Sequence, residues 1–128
     1  MSDKPKRILV VEDEEDIRDL YVELLQDAGY EVDSAVNGEL GIEKMRLGGW
    51  DLILLDIVMP QMDGLTVLDL LRTNPAKKPN GSIILLTVLA QDNMIHKGLE
   101  KGAAGYLIKS EVTPDQVLEE VRNFLGEK

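Results

Sequence analysis

The sequence predicts an α/β domain in which a parallel sheet of five strands is covered by helices on both faces. Two observations lead to this fold class. Short apolar runs alternate with helical patterns five times along the 128 residues. Three of these runs contain continuous apolar stretches, which are typical of parallel strands buried on both faces. The strict alternation, with no internal linker, predicts one domain in which helices connect the parallel strands.

The five predicted strands differ in how deeply they are expected to be buried. The first, third and fourth contain the continuous apolar stretches, whereas the second alternates between apolar and polar side chains and is expected nearer an edge. The fifth is short and closes at Lys109. In chain order the strands are predicted at 8–11, 30–36, 51–56, 83–87 and 104–108.

The helices are predicted from apolar residues that recur at intervals of three and four. The first stops at Gly29, where glycine commonly ends a helix. The second follows an Asn37-Gly38 turn and ends at Gly48-Gly49. The last begins with Thr113 as N-cap and Pro114 as first helical residue. In chain order the helices are predicted at 17–28, 40–47, 65–73, 91–101 and 114–125.

The composition limits the classes of function. The chain has no cysteine, which excludes disulfides, thiolate metal sites and cysteine nucleophiles. Its net charge of −10 argues against direct binding to nucleic acid or to anionic membranes. No apolar run approaches the length of a membrane span, and the polar residues 1–6 predict a short disordered tail. We therefore expect a cytoplasmic protein.

Polar side chains stand where four of the predicted strands end. Glu12 and Asp13 follow the first strand, Asp56 ends the third, Thr87 ends the fourth and Lys109 follows the fifth. Ligands bind at the carboxyl ends of the strands in an open parallel sheet, so these side chains are expected to converge on one edge. A strand exit or a helix cap explains each residue alone. Together they form a site with three carboxylates, one hydroxyl and one ammonium.

This combination of groups indicates phosphoryl chemistry with a divalent cation. Three close carboxylates repel one another unless a cation joins them, and ligation by oxygen favours Mg²⁺. The metal, Thr87 and Lys109 would neutralise the oxygens of a phosphoryl group. A carboxylate can itself be the nucleophile and form an aspartyl phosphate. The glycine motifs of nucleotide-binding enzymes, GxxxxGK[ST] and GxGxxG, are absent from the sequence.

Four segments follow one another along the chain: ILVVEDEEDIR, LILLDIVMPQMDG, IILLT and KGAAGYLIK. With these segments, nearly the whole chain resembles the CheY-like receiver domain of bacterial two-component response regulators. The most specific feature is MPxMDG after an apolar strand that ends in Asp. Alternation alone leaves both the 2-1-3-4-5 and the Rossmann-like strand orders open. The resemblance implies the order 2-1-3-4-5, a flavodoxin-like fold and a single receiver domain over residues 1–128.

The resemblance implies a role for each acidic residue of the site. Asp56 would accept a phosphoryl group from a histidine kinase or a phosphotransfer protein. Asp13, Asp56 and the backbone carbonyl of Val58 would ligate Mg²⁺ directly. Glu12 would act on the ion mainly through a bound water.

The resemblance also implies a switch, so that the chain would signal rather than act as an enzyme. Lys109 would pair with the phosphoryl group, and Thr87 would move to hydrogen-bond it. Tyr106 would then swing inward into the space behind Thr87. The face formed by the helix at 91–101, the last strand and the last helix would change shape for a protein partner.

Two residues beside the site depart from the family pattern. Ser110 stands after Lys109, where a proline preceded by a cis bond is usual. Either the site keeps that strained bond or the loop takes another path and Lys109 is aimed differently. Val88 stands after Thr87, where a small residue is usual, and its methyl groups would narrow access to the phosphoryl site. Phosphorylation is still expected.

Three uses of such a domain stay open. The chain would be a stand-alone regulator, a phosphorelay intermediate, or the excised receiver of a transcription factor that dimerises when phosphorylated. Met1 and the polar ending at 126–128 favour a complete short protein. In a symmetric dimer, cations of the fourth helix would pair with acidic residues of the second copy. The candidates are Lys97 and Lys101 for the cations and Asp115 or Glu119 for the acids.

A haloacid-dehalogenase-type phosphatase is the remote rival from the enzyme class. Such enzymes also combine a strand-end Asp with Mg²⁺, a hydroxyl and a lysine. They usually need a second Asp two residues after the first, and this chain has Val58 there. The only histidine, His96, is expected on the surface of the fourth helix and not as a phosphate carrier.

Overall fold

A computed structural model describes residues 4–88 and 92–127 of the chain. The strands in chain order are β1 (Arg7–Val11), β2 (Glu31–Ala35), β3 (Leu52–Asp56), β4 (Ser82–Thr87) and β5 (Gly105–Ile108). The helices are α1 (Glu15–Asp27), α2 (Gly38–Leu47), α3 (Gly64–Thr73), α4 (Asp92–Glu100) and α5 (Pro114–Phe124). The predicted alternation of strands and helices is confirmed.

The sheet is parallel throughout and has the order β2-β1-β3-β4-β5. The fold class and the order 2-1-3-4-5 are therefore as predicted. The register places Val11 beside both Ala35 and Leu55, and Thr87 beside Ile108. Because all strands run the same way, the residues that follow them lie along one edge of the sheet.

The central strands are buried on both faces, which explains their continuous apolar sequences. Every residue of β3 is buried, whereas the edge strand β2 alternates between exposed and more buried positions. One core lies between the sheet and α2, α3 and α4 and includes Leu9, Leu55 and Leu68. The other lies against α1 and α5 and includes Leu54 and Val121.

The helix ends follow the predicted signals. Thr113 and Gln116 form a reciprocal capping box at the start of α5, with Pro114 as the first helical residue. Asn37 caps α2 by accepting a hydrogen bond from the Leu40 N–H. Gly29 follows α1 with φ of 98°, a backbone conformation that favours glycine.

Some predictions at the margins lie outside the described residues. They concern residues 1–3 of the predicted tail, the predicted start of the fourth helix at residue 91 and the last residue, Lys128. Residues 4–6 are exposed and precede β1. In the part of the chain that the structure describes, none of the helices has the length and hydrophobicity needed to cross a membrane.

Candidate functional site

The carboxyl ends of β1 and β3 bring three carboxylates together. One oxygen from each of Glu12, Asp13 and Asp56 lies within 4.8 Å of the others. Glu12 and Asp56 are buried, while Asp13 is half-buried at the mouth of the site. The fold therefore brings these three acids together, as predicted. A set of ligands made only of oxygen atoms fits a hard divalent cation.

Lys109 completes this group from the end of β5. Its Nζ donates to Glu12 Oε1 at 2.6 Å and to Asp56 Oδ2 at 3.0 Å, and its side chain is only 6% exposed. No peptide bond within residues 4–88 and 92–127 is cis, so the bond from Lys109 to Ser110 is trans. The loop therefore follows a path without the strained bond, and Lys109 still points at Asp56.

The environment of the site shifts the pKa values of Asp56 and Glu12 in opposite directions. Burial raises the pKa of Asp56 to about 7, and the hydrogen bond and charge of Glu12 add to this rise against the opposing effect of Lys109. Burial also acts to raise the pKa of Glu12, but hydrogen bonds with Asp56 and Lys109 lower it overall. With three carboxylates and one ammonium, the site keeps excess negative charge, which a divalent cation would neutralise.

The loop after β3 fixes Asp56 in place. The Val58 N–H donates to Asp56 Oδ1 at 3.3 Å, and the Gly64 N–H donates to the Ile57 carbonyl at 2.8 Å. A Cβ at Gly64 would lie 2.5 Å from the Asp56 carbonyl oxygen, so only glycine fits there. Asp63 caps α3 by accepting a hydrogen bond from the Thr66 N–H. The MDG part of the motif therefore turns the chain closely around the strand end.

Arg18 holds the acidic loop from α1. Its Nη1 donates to the carbonyl oxygen of Glu12 at 3.0 Å and to that of Asp13 at 3.4 Å. The Glu14 N–H donates to Glu12 Oε2 at 3.2 Å. Arg18 was not among the predicted site residues. Its only sequence signal is an arginine two residues after the acidic run at 12–16.

Thr87 and Tyr106 occupy different environments. Thr87 is buried at the end of β4, and its carbonyl accepts a hydrogen bond from the Lys109 N–H at 2.6 Å. Tyr106 lies on the edge strand β5 and is 45% exposed. Tyr106 is therefore accessible to solvent on the edge strand, while Thr87 is buried in the interior of the domain.

Comparison with known proteins decides which family has this arrangement. The profile of the response regulator receiver domain matches residues 8–122. The chain belongs to the response regulator receiver domain family. These signalling domains are built around an acidic site, and the cluster of Glu12, Asp13 and Asp56 fits a phosphoacceptor site.

Curated relatives of this receiver domain include regulators of two sizes. The transcriptional regulatory protein DltR of Streptococcus agalactiae is 40% identical over 116 residues, which cover 91% of this chain and 50% of DltR. The chemotaxis protein CheY of Treponema pallidum is 34% identical over 124 residues, covering 94% of this chain and 83% of CheY. The chain thus spans about half the length of DltR and most of the length of that CheY.

Solved structures of receiver domains have the same fold. The CheY-like receiver domain protein of Methanospirillum hungatei superposes with a TM-score of 0.84 at 30% identity, covering 96% of this chain and 95% of that one. The response regulator TrrA of Thermotoga maritima, in complex with Mg²⁺-BeF, gives a TM-score of 0.77 at 39% identity. That superposition covers 93% of this chain and 98% of TrrA.

One of the residues suggested for a dimer of receiver domains, Lys101, has a partner within the chain. Lys101 Nζ bonds Asp69 Oδ1 at 2.7 Å, which connects α4 to α3. Lys97 is exposed, as are Asp115 and Glu119. His96 also lies on the surface, where its Nε2 contacts Glu100 Oε1 at 2.7 Å. A dimer contact through Lys101 would therefore have to replace its bond to Asp69.

Proposed function

We propose that Asp56 accepts a phosphoryl group from a phosphohistidine donor, with Mg²⁺ bound beside it, and that the domain acts as a switch. The observation behind this proposal is the position of the Asp56 carboxylate. It is buried at the end of β3, 3.0 Å from Lys109 Nζ and close to both Glu12 and Asp13. A nucleophile, a metal-binding set and a cation for the phosphoryl oxygens are thus within reach of one another.

The acidic residues would hold the metal. Asp13, Asp56 and the carbonyl of Val58 are the proposed ligands, and Glu12 would act through a bound water. When bound, Mg²⁺ supplies positive charge to the phosphoryl oxygens and favours the ionised form of Asp56. Support comes from the excess of carboxylates over cations at the site and from TrrA, which was solved in complex with Mg²⁺-BeF.

In the proposed transfer, an oxygen of ionised Asp56 forms a bond to phosphorus. The bond from phosphorus to the donor histidine nitrogen breaks, and its electron pair stays on that nitrogen. Lys109 then pairs with a phosphoryl oxygen in place of the Asp56 carboxylate, and the Thr87 hydroxyl donates to another. The donor is a sensor histidine kinase or a phosphotransfer protein.

The transfer would become a signal at the α4–β5–α5 face. Movement of Thr87 leaves room for Tyr106 to turn inward, which changes the surface that a protein partner meets. That partner is a downstream protein or a second receiver. Sedimentation with and without beryllofluoride separates the two, because a dimer that forms only with beryllofluoride supports self-association and a constant monomer supports a separate target.

Labelling with radioactive acetyl phosphate and Mg²⁺ tests the proposal. We expect Asp56→Asn to abolish labelling. The matched control is Asp51→Asn, which makes the same change just before β3 at the opposite edge of the sheet and should leave labelling intact. Undiminished labelling of Asp56→Asn would overturn the site assignment. Steady turnover of a phosphomonoester would instead favour a phosphatase.

A further inference from the structure

The two residues that depart from the family pattern contact each other. Ser110 Oγ donates a hydrogen bond to the Val88 carbonyl oxygen at 2.7 Å, across 22 positions of sequence. Next to this bond, the Lys109 N–H donates to the Thr87 carbonyl at 2.6 Å. Two consecutive residues after β5 therefore bind two consecutive carbonyls at the end of β4.

The hydroxyl of Ser110 extends the pairing of β4 and β5 beyond the strands. The ladder ends with Thr87 beside Ile108, and the chain then turns, with the Glu111 N–H donating to the Ile108 carbonyl at 2.9 Å. Serine suits such a turn, and its side chain brings a donor to the Val88 carbonyl. A proline at residue 110 has no side-chain donor for this carbonyl.

We infer that Ser110 is a positioning residue that sets how readily Thr87 moves to the phosphoryl group, an inference that rests on the proposed function. Thr87 shares a peptide bond with Val88, so a shift of the Thr87 backbone toward Asp56 must displace the carbonyl that Ser110 holds. The bond is present in a structure in which Tyr106 is exposed and Lys109 binds Glu12 and Asp56. The Ser110 hydroxyl therefore favours the resting arrangement.

Beryllofluoride binding in the presence of Mg²⁺, followed by ¹⁹F NMR, tests the inference. We expect Ser110→Ala to bind about two- to tenfold more tightly than the native chain, the range that one hydrogen bond allows. Ser110→Thr keeps the hydroxyl and should bind within about twofold of native. Unchanged or weaker binding by Ser110→Ala, or the same gain in Ser110→Thr, would overturn the inference.

The Val88→Ala variant tests whether Ser110 acts through its hydrogen bond to the Val88 carbonyl or through the Val88 side chain, which would narrow access to the site. This substitution removes the Val88 methyl groups but keeps the carbonyl that Ser110 binds. Ser110→Ala should therefore tighten beryllofluoride binding by the same factor in the Val88→Ala background. If the effect of Ser110→Ala vanished there, Ser110 would act through the Val88 side chain, and the inferred route through the carbonyl would be wrong.

Amide hydrogen exchange gives a readout that does not depend on phosphorylation. Without the Ser110 bond, the neighbouring bond from Lys109 to Thr87 becomes the last of the ladder, and we expect several-fold faster exchange at the Lys109 amide in Ser110→Ala but not in Ser110→Thr. Equal exchange in all three proteins would contradict the inference. Failure of the proposed function has a different signature, because the native chain would then give no Asp56-dependent beryllofluoride signal.

Discussion

At the amino-terminal edge of the sheet the Arg7 guanidinium pairs with the Glu31 carboxylate, whereas the carboxyl-terminal edge gathers three carboxylates beside one ammonium. Arg7 lies over the Trp50 ring, 4.2 Å from its centroid, and its backbone N–H donates to Asp51 Oδ2 at 2.7 Å. At the other edge, Lys109 is shared by Glu12 and Asp56. The first arrangement stabilises the fold. The second costs stability and raises the pKa of a buried carboxylate, Asp56.

The amino-terminal edge is joined around Trp50, which is 4% exposed. Its Nε1 donates to the Lys44 carbonyl at 2.9 Å, and its backbone N–H donates to Asn80 Oδ1 at 3.2 Å. Asn80 Nδ2 in turn donates to the Met45 carbonyl at 3.0 Å. The end of α2, the start of β3 and the loop before β4 are thus linked far from the phosphoacceptor site.

The largest expected effect on stability is therefore at the amino-terminal edge, which is far from the phosphoacceptor site. Trp50→Ala should lower the free energy of unfolding by about 3–5 kcal/mol, because it removes a buried aromatic side chain and the indole hydrogen bond. Urea unfolding measures the loss. Acetyl phosphate labelling of the folded fraction should stay at the native level. Trp50→Phe is the control, since it keeps most of the packing. If the folded Trp50→Ala protein could not be labelled, the packing around Trp50 would influence the phosphoacceptor site, contrary to this prediction.

At the phosphoacceptor edge we expect a substitution to raise the free energy of unfolding instead of lowering it. Without divalent cations at neutral pH, Asp56→Asn should raise the free energy of unfolding by about 1–4 kcal/mol, because it removes a buried acid from a cluster with excess negative charge. Lys109 keeps Glu12 as its partner. Asp51→Asn, the matched control at the other edge, should not be more stable than native in the same urea unfolding experiment. A less stable Asp56→Asn protein would mean that the ionised cluster is favourable as it stands.

The fold was predictable because its signals are local. Apolar spacing within ten to fifteen residues is enough to indicate each strand and helix. The convergence of Asp56 and Lys109 was also predictable, because topology alone brings strand ends to one edge. The contacts of Arg18 and of Ser110 were not, since the first depends on a side-chain rotamer and the second on a loop path that joins residues 22 positions apart. The stacking of Arg7 on Trp50 has the same origin, and nothing in either local sequence indicates it.

Stability should depend on pH through the phosphoacceptor edge. Because the pKa of Asp56 is raised from 3.8 to about 7, the folded chain holds a proton that the unfolded chain releases. The free energy of unfolding of the native chain, relative to that of Asp56→Asn, should therefore fall as pH rises from about 4 to 7, by at most about 1.4 kcal/mol per pH unit.

Mg²⁺ sharpens this test. The cation competes with the proton on Asp56, so saturating Mg²⁺ should flatten the pH dependence of the native chain and leave Asp56→Asn much less affected. Urea midpoints between pH 4 and 8, with and without Mg²⁺, provide the comparison. A native chain whose stability rises with pH relative to Asp56→Asn would contradict the raised pKa of Asp56.

The smallest expected effects come from substituting one arginine at each edge of the sheet. They test whether Arg18 positions the loop that carries Glu12 and Asp13. Arg7→Lys and Arg18→Lys keep the charge but lose the planar guanidinium, and each should cost less than about 1 kcal/mol of stability. Only Arg18→Lys should raise the Mg²⁺ concentration for half-maximal labelling, by about two- to threefold, a change of under 1 kcal/mol in binding free energy. Arg18 holds the carbonyls of Glu12 and Asp13. The Arg7 guanidinium instead contacts Glu31, Gly49 and Trp50 at the other edge. Identical Mg²⁺ dependence in the two variants would mean that the buried end of β1 fixes the loop without Arg18.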